Sequence, residues 1–468
     1  MDAFKPAHPA VHPENEEAPD LTPPRLEPLN NEEQDDELDY WTWRTRTQFK
    51  NSKASTADPC LNFPTHLLRD VQIVLKTGTA DNAARTKAQV ETLIKCITNA
   101  IVVSDTDHPY GPDHQAQDVL ARLLPKTYLN PEDFVAYESQ KIASRDGKPL
   151  DSSMEGWKLD KYKFLPEIEL AVEQNPSAKW YMFVESDTYV FWDNLFRLVD
   201  TYNYTDPWYF GSPSPGRKDN QDRTIWFAYG GAGFLLSANA AQRFTFHEKH
   251  RLGEIPRVSD RFREDIRHDC CGDSMLGWAM HEKLGLDVAG LWPMFNPHPL
   301  RGIPFSKLYW CEPVLTLHKT IPEEFNSLYQ WEDSRDRTKG PLLYADLISH
   351  LGLGDFSTRD DWDNANWDGF SPSDDSPAHS SFKACKTACA ADDNCFQFTY
   401  HMQHCYMAKS IRLGEKRDPE GDLADLKDGK EEDRRFMSGW DTKRIKKWVE
   451  DNKCEAPHWV KPSIKRIF

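Results

Sequence analysis

The stretch from Trp180 to Trp192 constrains the fold of this chain most strongly, because two carboxylates interrupt an otherwise apolar sequence there. Its first run, residues 180–184, is short, aromatic and β-branched, which predicts a buried strand rather than a helix. Glu185 and Asp187 follow this strand and point to the same side of an extended backbone. Such carboxylates are costly unless a positive group compensates them, and a divalent cation bound to a diphosphate would do so. An acidic turn at a sheet edge is the alternative.

Charge and proline content set the first part of the chain apart. Acidic residues crowd positions 14–38, and prolines punctuate the same region. Such a segment cannot bury enough apolar surface to order itself, so residues 1–58 are predicted to be a disordered stem. The net charge of the whole chain is −18. That balance argues against a nucleic acid partner, because phosphate binding needs a basic surface.

The cysteines favour an oxidising compartment. Ten are present, and Cys385, Cys389, Cys395 and Cys405 lie close together. Their spacing lacks the C-x2-C pairs typical of zinc sites, so a disulfide framework is favoured over a zinc cluster. The N-glycosylation pattern at 203–205 agrees with a secretory route. No signal peptide and no membrane-spanning run are visible, so we expect an N-terminal anchor to be missing from this chain.

Strand-like and helix-like segments alternate from residue 71 onward. Strands are predicted over 71–75, 100–103 and 180–184, and helices over 83–98 and 161–173. This alternation predicts an α/β sheet that is covered on both faces, with ligands beyond the carboxyl ends of its strands. Asp105 begins a second acidic triplet after the second strand. The prolines and glycine that follow it indicate a loop, where Asp105 could contact uracil or ribose.

Three further motifs follow the Glu-x-Asp triplet. Tyr229–Ser237 contains a Gly-Gly-Ala-Gly cluster, which marks either a tight turn or a close approach of the backbone to a ligand. Asp273 opens an apolar helical segment, where it is either a helix cap or a general base. His318 ends the apolar strand that starts at Val314, and it is either a hydrogen-bonded core residue or a metal ligand.

In this order the four pieces resemble glycosyltransferase family 31, which holds the core 1 β1,3-galactosyltransferases and Fringe. The resemblance runs from about Val71 to Lys319. The family pattern W-[FY]-x3-D-D-D-T-Y-V corresponds to Trp180–Val190, G-G-A-G-[FY]-x-[LF]-S to Gly230–Ser237, and E-D-x3-G to Gly272–Gly277. The chain departs from the family in two places. Glu185-Ser186 replaces the first two aspartates, and Gly272 replaces the acid before the predicted base.

The resemblance implies a GT-A-type, Rossmann-like nucleotide-sugar-binding domain over residues 59–345. It implies an inverting hexosyltransferase that moves a sugar, with galactose favoured, from a UDP-sugar to a glycan or glycoprotein hydroxyl in a β1,3-type linkage. Asp273 would be the catalytic base, and Asp187 and His318 would hold Mn²⁺ or Mg²⁺. The other residues expected at the site are Glu185, Ser186, Thr77, Gly78, Asp105, Lys161, Gly230, Gly231, Ala232 and Gly233 for the donor, and Trp278 and Trp310 for the acceptor. The Golgi lumen, in a type II membrane protein, is the expected location.

The cysteine-rich segment is similar to a PAN/apple module, a small disulfide-rich α+β domain, over residues 355–445. Four cysteines allow three pairings, of which Cys385–Cys405 with Cys389–Cys395 is the most economical. A carbohydrate or a protein would be the ligand of this module, and residues 446–468 would form a C-terminal tail. A non-catalytic chaperone or glycan-binding protein of the same fold is the competing hypothesis for the whole chain.

Overall fold

The structure is a computed structural model that describes residues 40–41, 47, 49, 59–61, 63–148, 156–247, 249–250, 253–254, 257–366, 368–426 and 428–467. Most of the predicted stem, including residues 1–39, lies outside the described residues. Tyr40 and Trp41 form a strand, and Phe49 is buried in the main core. These positions therefore belong to the folded part of the chain, so the predicted stem boundary at residue 58 is wrong for them.

Strands and helices alternate through the first three quarters of the chain. The strands are β1 (Tyr40–Trp41), β2 (Val71–Lys76), β3 (Ile101–Ser104), β4 (His108–Tyr110), β5 (His114–Asp118), β6 (Trp180–Glu185), β7 (Tyr189–Val190), β8 (Tyr209–Gly211), β9 (Pro213–Lys218), β10 (Thr224–Ala228), β11 (Phe234–Ser237), β12 (Lys249–His250), β13 (Gly253–Glu254), β14 (Ala289–Gly290), β15 (Phe295–Asn296) and β16 (Thr316–Leu317). The helices are α1 (Ala83–Glu91), α2 (Pro125–Tyr128), α3 (Pro131–Arg145), α4 (Phe164–Gln174), α5 (Trp192–Val199), α6 (Ala238–Thr245), α7 (Val258–Arg261), α8 (Arg263–His268), α9 (Gly272–Leu284), α10 (Pro322–Ser334) and α11 (Tyr344–Leu351).

An eight-stranded mixed sheet forms the centre of this region, in the order β14-β8-β11-β6-β2-β3-β5-β4. Strand β2 runs parallel to both β6 and β3, and the register places Lys76 opposite Glu185. Strand β11 is antiparallel to β6 and β8. The carboxyl ends of β2, β3 and β6 therefore meet at one edge of the sheet, where the predicted site residues begin.

Apolar side chains cover both faces of the sheet. In β6, Trp180, Met182 and Val184 pack in one core cluster, while Tyr181 and Phe183 pack in a second cluster on the opposite face. Because successive strand residues point to opposite faces, this division explains why the β6 sequence is apolar throughout instead of alternating. The predicted α/β sheet with two covered faces is confirmed.

The helix predicted over residues 83–98 is shorter in the structure, since α1 ends at Glu91. The residues that follow form turns in which Ile94 and Ile97 are buried. Cys96 in this segment is bonded to Cys60. Apolar spacing alone therefore predicted helix where a covalently tied turn buries the same side chains.

The cysteine-rich segment forms a second, smaller sheet. Its elements are β17 (Thr358–Asp360), β18 (Trp362–Asp363), β19 (Gly369–Phe370), α12 (Phe382–Ala391), β20 (Gln397–His401), β21 (His404–Ala408), β22 (Glu415–Lys416) and β23 (Met437–Trp440). Five of the strands pair in the order β17-β23-β20-β21-β19. The disulfides Cys385–Cys405 and Cys389–Cys395 join α12 to this sheet, and both match the predicted pairings. All four sulfurs lie in the small core of the module.

The last part of the chain returns to the first region instead of forming a separate tail at 446–468. Helix α13 (Thr442–Asp451) leads to Cys454, which is bonded to Cys311, and β24 (Trp459–Val460) pairs with β1. Trp459 and Val460 are buried in the same core as β6. The described residues from Tyr40 onward consequently belong to one compact unit.

We predict that the covalent closure of this returning segment contributes strongly to stability. Replacing Cys311 and Cys454 by alanine should lower the free energy of unfolding by about 5 kcal/mol, because the bond closes a separation of 143 residues. The matched control, Cys389→Ala with Cys395→Ala, opens a separation of only 6 residues and should cost about 2 kcal/mol. Denaturant titration measures both losses. Equal losses would show that loop closure is not the source of the stabilisation.

Candidate active site

The predicted metal ligands meet at the carboxyl edge of the central sheet. Glu185 ends β6, and Asp187 lies in the turn between β6 and β7. The Nε2 atom of His318 is 3.2 Å from Oδ1 of Asp187. Ligand atoms of Glu185, Asp187 and His318 all lie within 4.8 Å of one another. The structure therefore brings together three residues that are up to 133 positions apart in the sequence.

Backbone pairing explains why His318 reaches Asp187. Strand β16 immediately precedes His318 and is antiparallel to β7, which immediately follows the acidic triplet. The N–H of His318 donates to the carbonyl oxygen of Asn296, and the N–H of Thr320 donates to that of Asp187. Two short strands thus hold the imidazole and the carboxylate from opposite directions.

The glycine cluster forms a tight turn against the imidazole. Residues Gly230–Ala232 form a 3-10 helix. A Cβ atom at Gly231 would lie 2.3 Å from Nε2 of His318, and one at Gly230 would lie 2.7 Å from the ring of Phe164. The backbone does approach another group closely, as predicted, and that group includes His318. Gly233 follows with a φ of 76°, which favours glycine.

Asp273 lies in the first turn of α9 and faces the glycine turn. Its Oδ2 atom accepts a hydrogen bond of 2.8 Å from the N–H of Gly230. Cys271, not Asp273, occupies the position before the helix, so Asp273 is not the N-cap residue. Burial raises the pKa of Asp273, while the hydrogen bonds from Gly230 and Ser274 oppose that shift. A carboxyl group held in this way can accept a proton near neutral pH.

The glycine before Asp273 has a steric cause. A Cβ atom at Gly272 would lie 2.2 Å from the ring of Phe164 and 2.6 Å from the carbonyl oxygen of Lys161. No side chain fits at this position. A disulfide between the adjacent residues Cys270 and Cys271 precedes the helix. The departure from the family pattern therefore follows from the ring of Phe164, which fills the space behind α9.

Several of the predicted donor residues surround Asp81, which the sequence analysis missed. Oδ2 of Asp81 accepts hydrogen bonds from Oγ of Ser186 at 2.6 Å, Oγ1 of Thr77 at 2.9 Å and the N–H of Gly78 at 3.1 Å. These contacts join the loop after β2 to the acidic triplet. The signal in the sequence was the position of Asp81, an acidic residue that follows the predicted strand 71–75 by six residues.

Two predicted donor residues have other roles in the structure. Asp105 is fully buried and accepts a hydrogen bond of 2.8 Å from the N–H of Thr79. It therefore holds the loop after β2 in place and is not exposed to a ligand. Lys161 donates to the carbonyl oxygens of Arg267 and Asp269, just before α9. The predicted donor contact of Asp105 is corrected because its side chain is fully buried, while the donor contact of Lys161 stays a prediction.

The two predicted acceptor residues do not lie together. Trp310 is 4% exposed. Its Nε1 donates to the carbonyl oxygen of Asn452, and its ring packs against Trp448 of α13. The prediction for Trp310 is wrong, because this side chain anchors the returning segment. Trp278 is half-buried on α9, with the guanidinium of Arg217 5.6 Å from its ring, and its acceptor role stays a prediction.

A buried charge cluster beneath the triplet was also missed. Nζ of Lys76 lies 2.6 Å from Oδ2 of Asp160 and 3.1 Å from Oε1 of Glu185. Lys163 lies beside the same group, 3.7 Å from Oδ1 of Asp160. The signal was present in the sequence, since Lys76 ends an apolar strand just as Glu185 does.

The donor atoms fit a divalent cation. Carboxylate oxygens are the ligands that Mg²⁺ and Mn²⁺ prefer, and an imidazole suits the transition ion of the two. Burial opposes ionisation of Asp187, but the hydrogen bond and charge of His318 hold its pKa below the usual range. The Nδ1 atom of His318 is buried and has no hydrogen-bond partner among the described residues. Asp187 and His318 could hold the cation, with Glu185 beside it.

Comparison with known proteins connects this site to a family. The Fringe-like family model matches residues 68–295. The β-1,3-N-acetylglucosaminyltransferase lunatic fringe of Bos taurus is 29% identical over 251 residues, which is 48% of this chain and 63% of that protein. The Danio rerio lunatic fringe is 36% identical and covers 36% of this chain and 45% of its own length. The Drosophila melanogaster Fringe glycosyltransferase is 36% identical over 80 residues, 15% of this chain and 19% of its own. The chain thus spans less than two thirds of each relative.

One solved structure was also similar over a long range. It is the crystal structure of a glycosyltransferase involved in the glycosylation of the major capsid of PBCV-1, and it covers 55% of this chain and 99% of its own at 11% identity. Its TM-score of 0.27 is too low to establish a shared fold. The fold assignment therefore rests on the strand order of this chain alone.

We predict that Gly231→Ala weakens Mn²⁺ binding by at least about tenfold, because the added methyl group must displace the His318 ring. Gly302→Ala is the matched control, since its Cβ would meet only Pro299, at 3.5 Å or more. Calorimetric titration of both variants with Mn²⁺ measures the effect. Equal affinities would contradict the placement of His318 in the metal site.

Proposed function

We propose that the protein transfers a sugar from a UDP-sugar to a hydroxyl of a glycan or glycoprotein. The premise is that residues 68–295 of this chain belong to the Fringe-like glycosyltransferases of family 31. The observation that carries the proposal is the meeting of Asp187, His318 and Asp273 around one glycine turn. A nucleotide diphosphate at the carboxyl edge of an α/β sheet would reach all three. The GT-A-type fold class is part of this proposal.

In the proposed reaction Asp273 is the general base. Its carboxylate takes the proton of the acceptor hydroxyl while the hydroxyl oxygen attacks the anomeric carbon of the donor, and the UDP leaves from the opposite face. This single displacement inverts the α-linked donor to a β1,3-type product. The hydrogen bond from Gly230 fixes the carboxylate in place, which is the condition for efficient proton transfer.

Asp187 and His318 would hold the divalent cation, and Mn²⁺ suits this pair best. When bound, such an ion stabilises the negative charge that develops on the leaving diphosphate. The Asp81 carboxylate would keep Ser186 and the loop at Thr77 in place at the donor site. These residues act by orienting the donor.

The donor sugar proposed first is N-acetylglucosamine. Galactose is the donor expected from the family resemblance, but the two lunatic fringe relatives are named β-1,3-N-acetylglucosaminyltransferases. The Drosophila relative is named a Fringe glycosyltransferase, without a sugar. UDP-galactose remains the second donor to assay. A panel of UDP-sugars against simple glycosides separates the two.

The remaining parts of the proposal concern location and the second module. We place the protein in the secretory pathway, in the Golgi lumen, which agrees with five disulfides among the described residues. None of the described helices combines the length and apolarity that a bilayer span requires. Residues 355–445 would be a PAN/apple-like module with a carbohydrate or protein ligand. The competing hypothesis of a non-catalytic protein would leave the Asp187, His318 and Asp273 arrangement without a role.

We predict that Asp187→Ala and His318→Ala each abolish cation-dependent transfer while the fold is retained. A carboxylate that is 18% exposed contributes little packing, so the loss should appear in activity and Mn²⁺ affinity and not in the circular dichroism spectrum. Asp113→Ala, at an exposed loop position, is the control. Full activity of the Asp187 variant would remove the metal assignment.

We predict that Asp273→Asn lowers turnover by about 10²–10⁴-fold, because an amide cannot accept the proton. UDP and Mn²⁺ affinities should be unchanged. In the unmodified protein, turnover should fall as the pH drops through the pKa of Asp273, which burial raises above the usual range. Asp287→Asn, at an exposed position just beyond the same helix, is the control. Near-normal turnover of the Asp273 variant would assign this residue to structure alone.

A further inference from the structure

Lys76 occupies an unusual position for a lysine, because its side chain is only 4% exposed at the end of a central strand. A buried ammonium is costly unless it is paired and hydrogen-bonded. Here the Nζ atom lies 2.6 Å from the Asp160 carboxylate and 3.1 Å from that of Glu185. It also lies 3.6 Å from the centre of the Phe164 ring. The ammonium is thus held from three elements at once: the 3-10 helix Gly156–Tyr162, strand β6 and helix α4.

The contacts of Lys76 lead to both halves of the proposed site. In the sheet register Lys76 is directly opposite Glu185, which lies two residues before Asp187. The ring of Phe164, which the ammonium faces, fills the space behind Gly230 and Gly272. Those two glycines flank Asp273, one by hydrogen bond and one by sequence. Lys76 is therefore placed behind the triplet and behind the base.

The charges around the base can be named individually. Lys76 of β2 lowers the pKa of Asp273, while Asp160 of the 3-10 helix raises it. Burial raises the pKa values of Tyr209 and Tyr229, and the charge of Asp273 contributes to both shifts. Burial raises the pKa of Glu167 well above the usual range, which favours the uncharged form of this side chain, while the charge of Lys76 opposes that shift. Lys76 therefore contributes a buried positive charge to the surroundings of Asp273.

We propose that Lys76 is a positioning residue for the reaction, whose fixed ammonium orients the Glu185 carboxylate and places a positive charge behind the glycine turn that holds the Asp273 base. This inference rests on the proposed function, because it assigns Lys76 a role toward the same base. Asp160 has the complementary role of fixing the ammonium, and it is in turn bound between Lys76 and Lys163.

The test compares the dependence of kcat on pH in three variants. Lys76→Gln removes the charge but keeps a hydrogen-bond donor for Asp160 and Glu185, and it should lower kcat at neutral pH by at least about tenfold. The pH at which half of the activity is lost on acidification should rise by about one unit. Lys76→Arg keeps the charge and should retain most of the original pH midpoint. Asp160→Asn removes the opposing charge, so its midpoint should move to lower pH.

A purely structural role for Lys76 would give a different pattern. In that case Lys76→Gln would have a lower melting temperature than the unmodified protein, but the pH at which half of the activity is lost would be unchanged. That result overturns the proposal. If Lys76→Gln does not fold, the double variant Lys76→Gln with Asp160→Asn removes both charges of the pair and is compared with Asp160→Asn alone. A higher midpoint in the double variant supports the proposal, and an equal midpoint overturns it.

Asp273→Asn measured in parallel separates the two levels of failure. If that variant is inactive and the midpoint of Lys76→Gln is unchanged, the base assignment stands and only the role of Lys76 is wrong. If Asp273→Asn retains its turnover, the proposed function fails, and the inference about Lys76 fails with it.

Discussion

The antiparallel pairing of β7 with β16 is the constraint on which the candidate site depends. These two-residue strands place Asp187 and His318 on facing backbones, and a further backbone hydrogen bond from Thr320 to Asp187 closes the arrangement. The glycine turn then fits against the imidazole because Gly231 has no side chain. Asp273 is fixed in turn by the backbone of Gly230. Each element of the site is therefore positioned by main-chain contacts that small residues permit.

The departures from the family pattern are explained by compensating groups nearby. Glu185, which stands where the family has aspartate, reaches the ammonium of Lys76 on the neighbouring strand. Ser186 donates to Asp81, so a carboxylate on the loop after β2 is joined to the triplet. Gly272 leaves room for the Phe164 ring.

Local patterns were enough to predict much of this fold and part of the site. The strand at 180–184 and the two-sided sheet follow from apolar runs, and the structure agrees with them. Of the three pairings open to the four clustered cysteines, the structure has the most economical one. Trp310 was misassigned because a large aromatic residue near a site motif looks the same in the sequence whether it binds a ligand or packs. Lys76 and Asp81 were missed because their importance comes from partners more than 80 residues away, Asp160 and Ser186. The return of the chain at Cys454 was hidden for the same reason, since no local pattern shows which cysteine it meets.

The anomeric configuration of the product tests the central claim most directly. The wild-type protein would be incubated with an α-linked UDP-sugar, Mn²⁺ and a glycoside acceptor, and the new linkage would be assigned by the proton coupling of its anomeric centre. A single displacement assisted by Asp273 predicts a β-linked product. An α-linked product would contradict the account, because it requires retention of configuration and hence a different use of the carboxylates at this site.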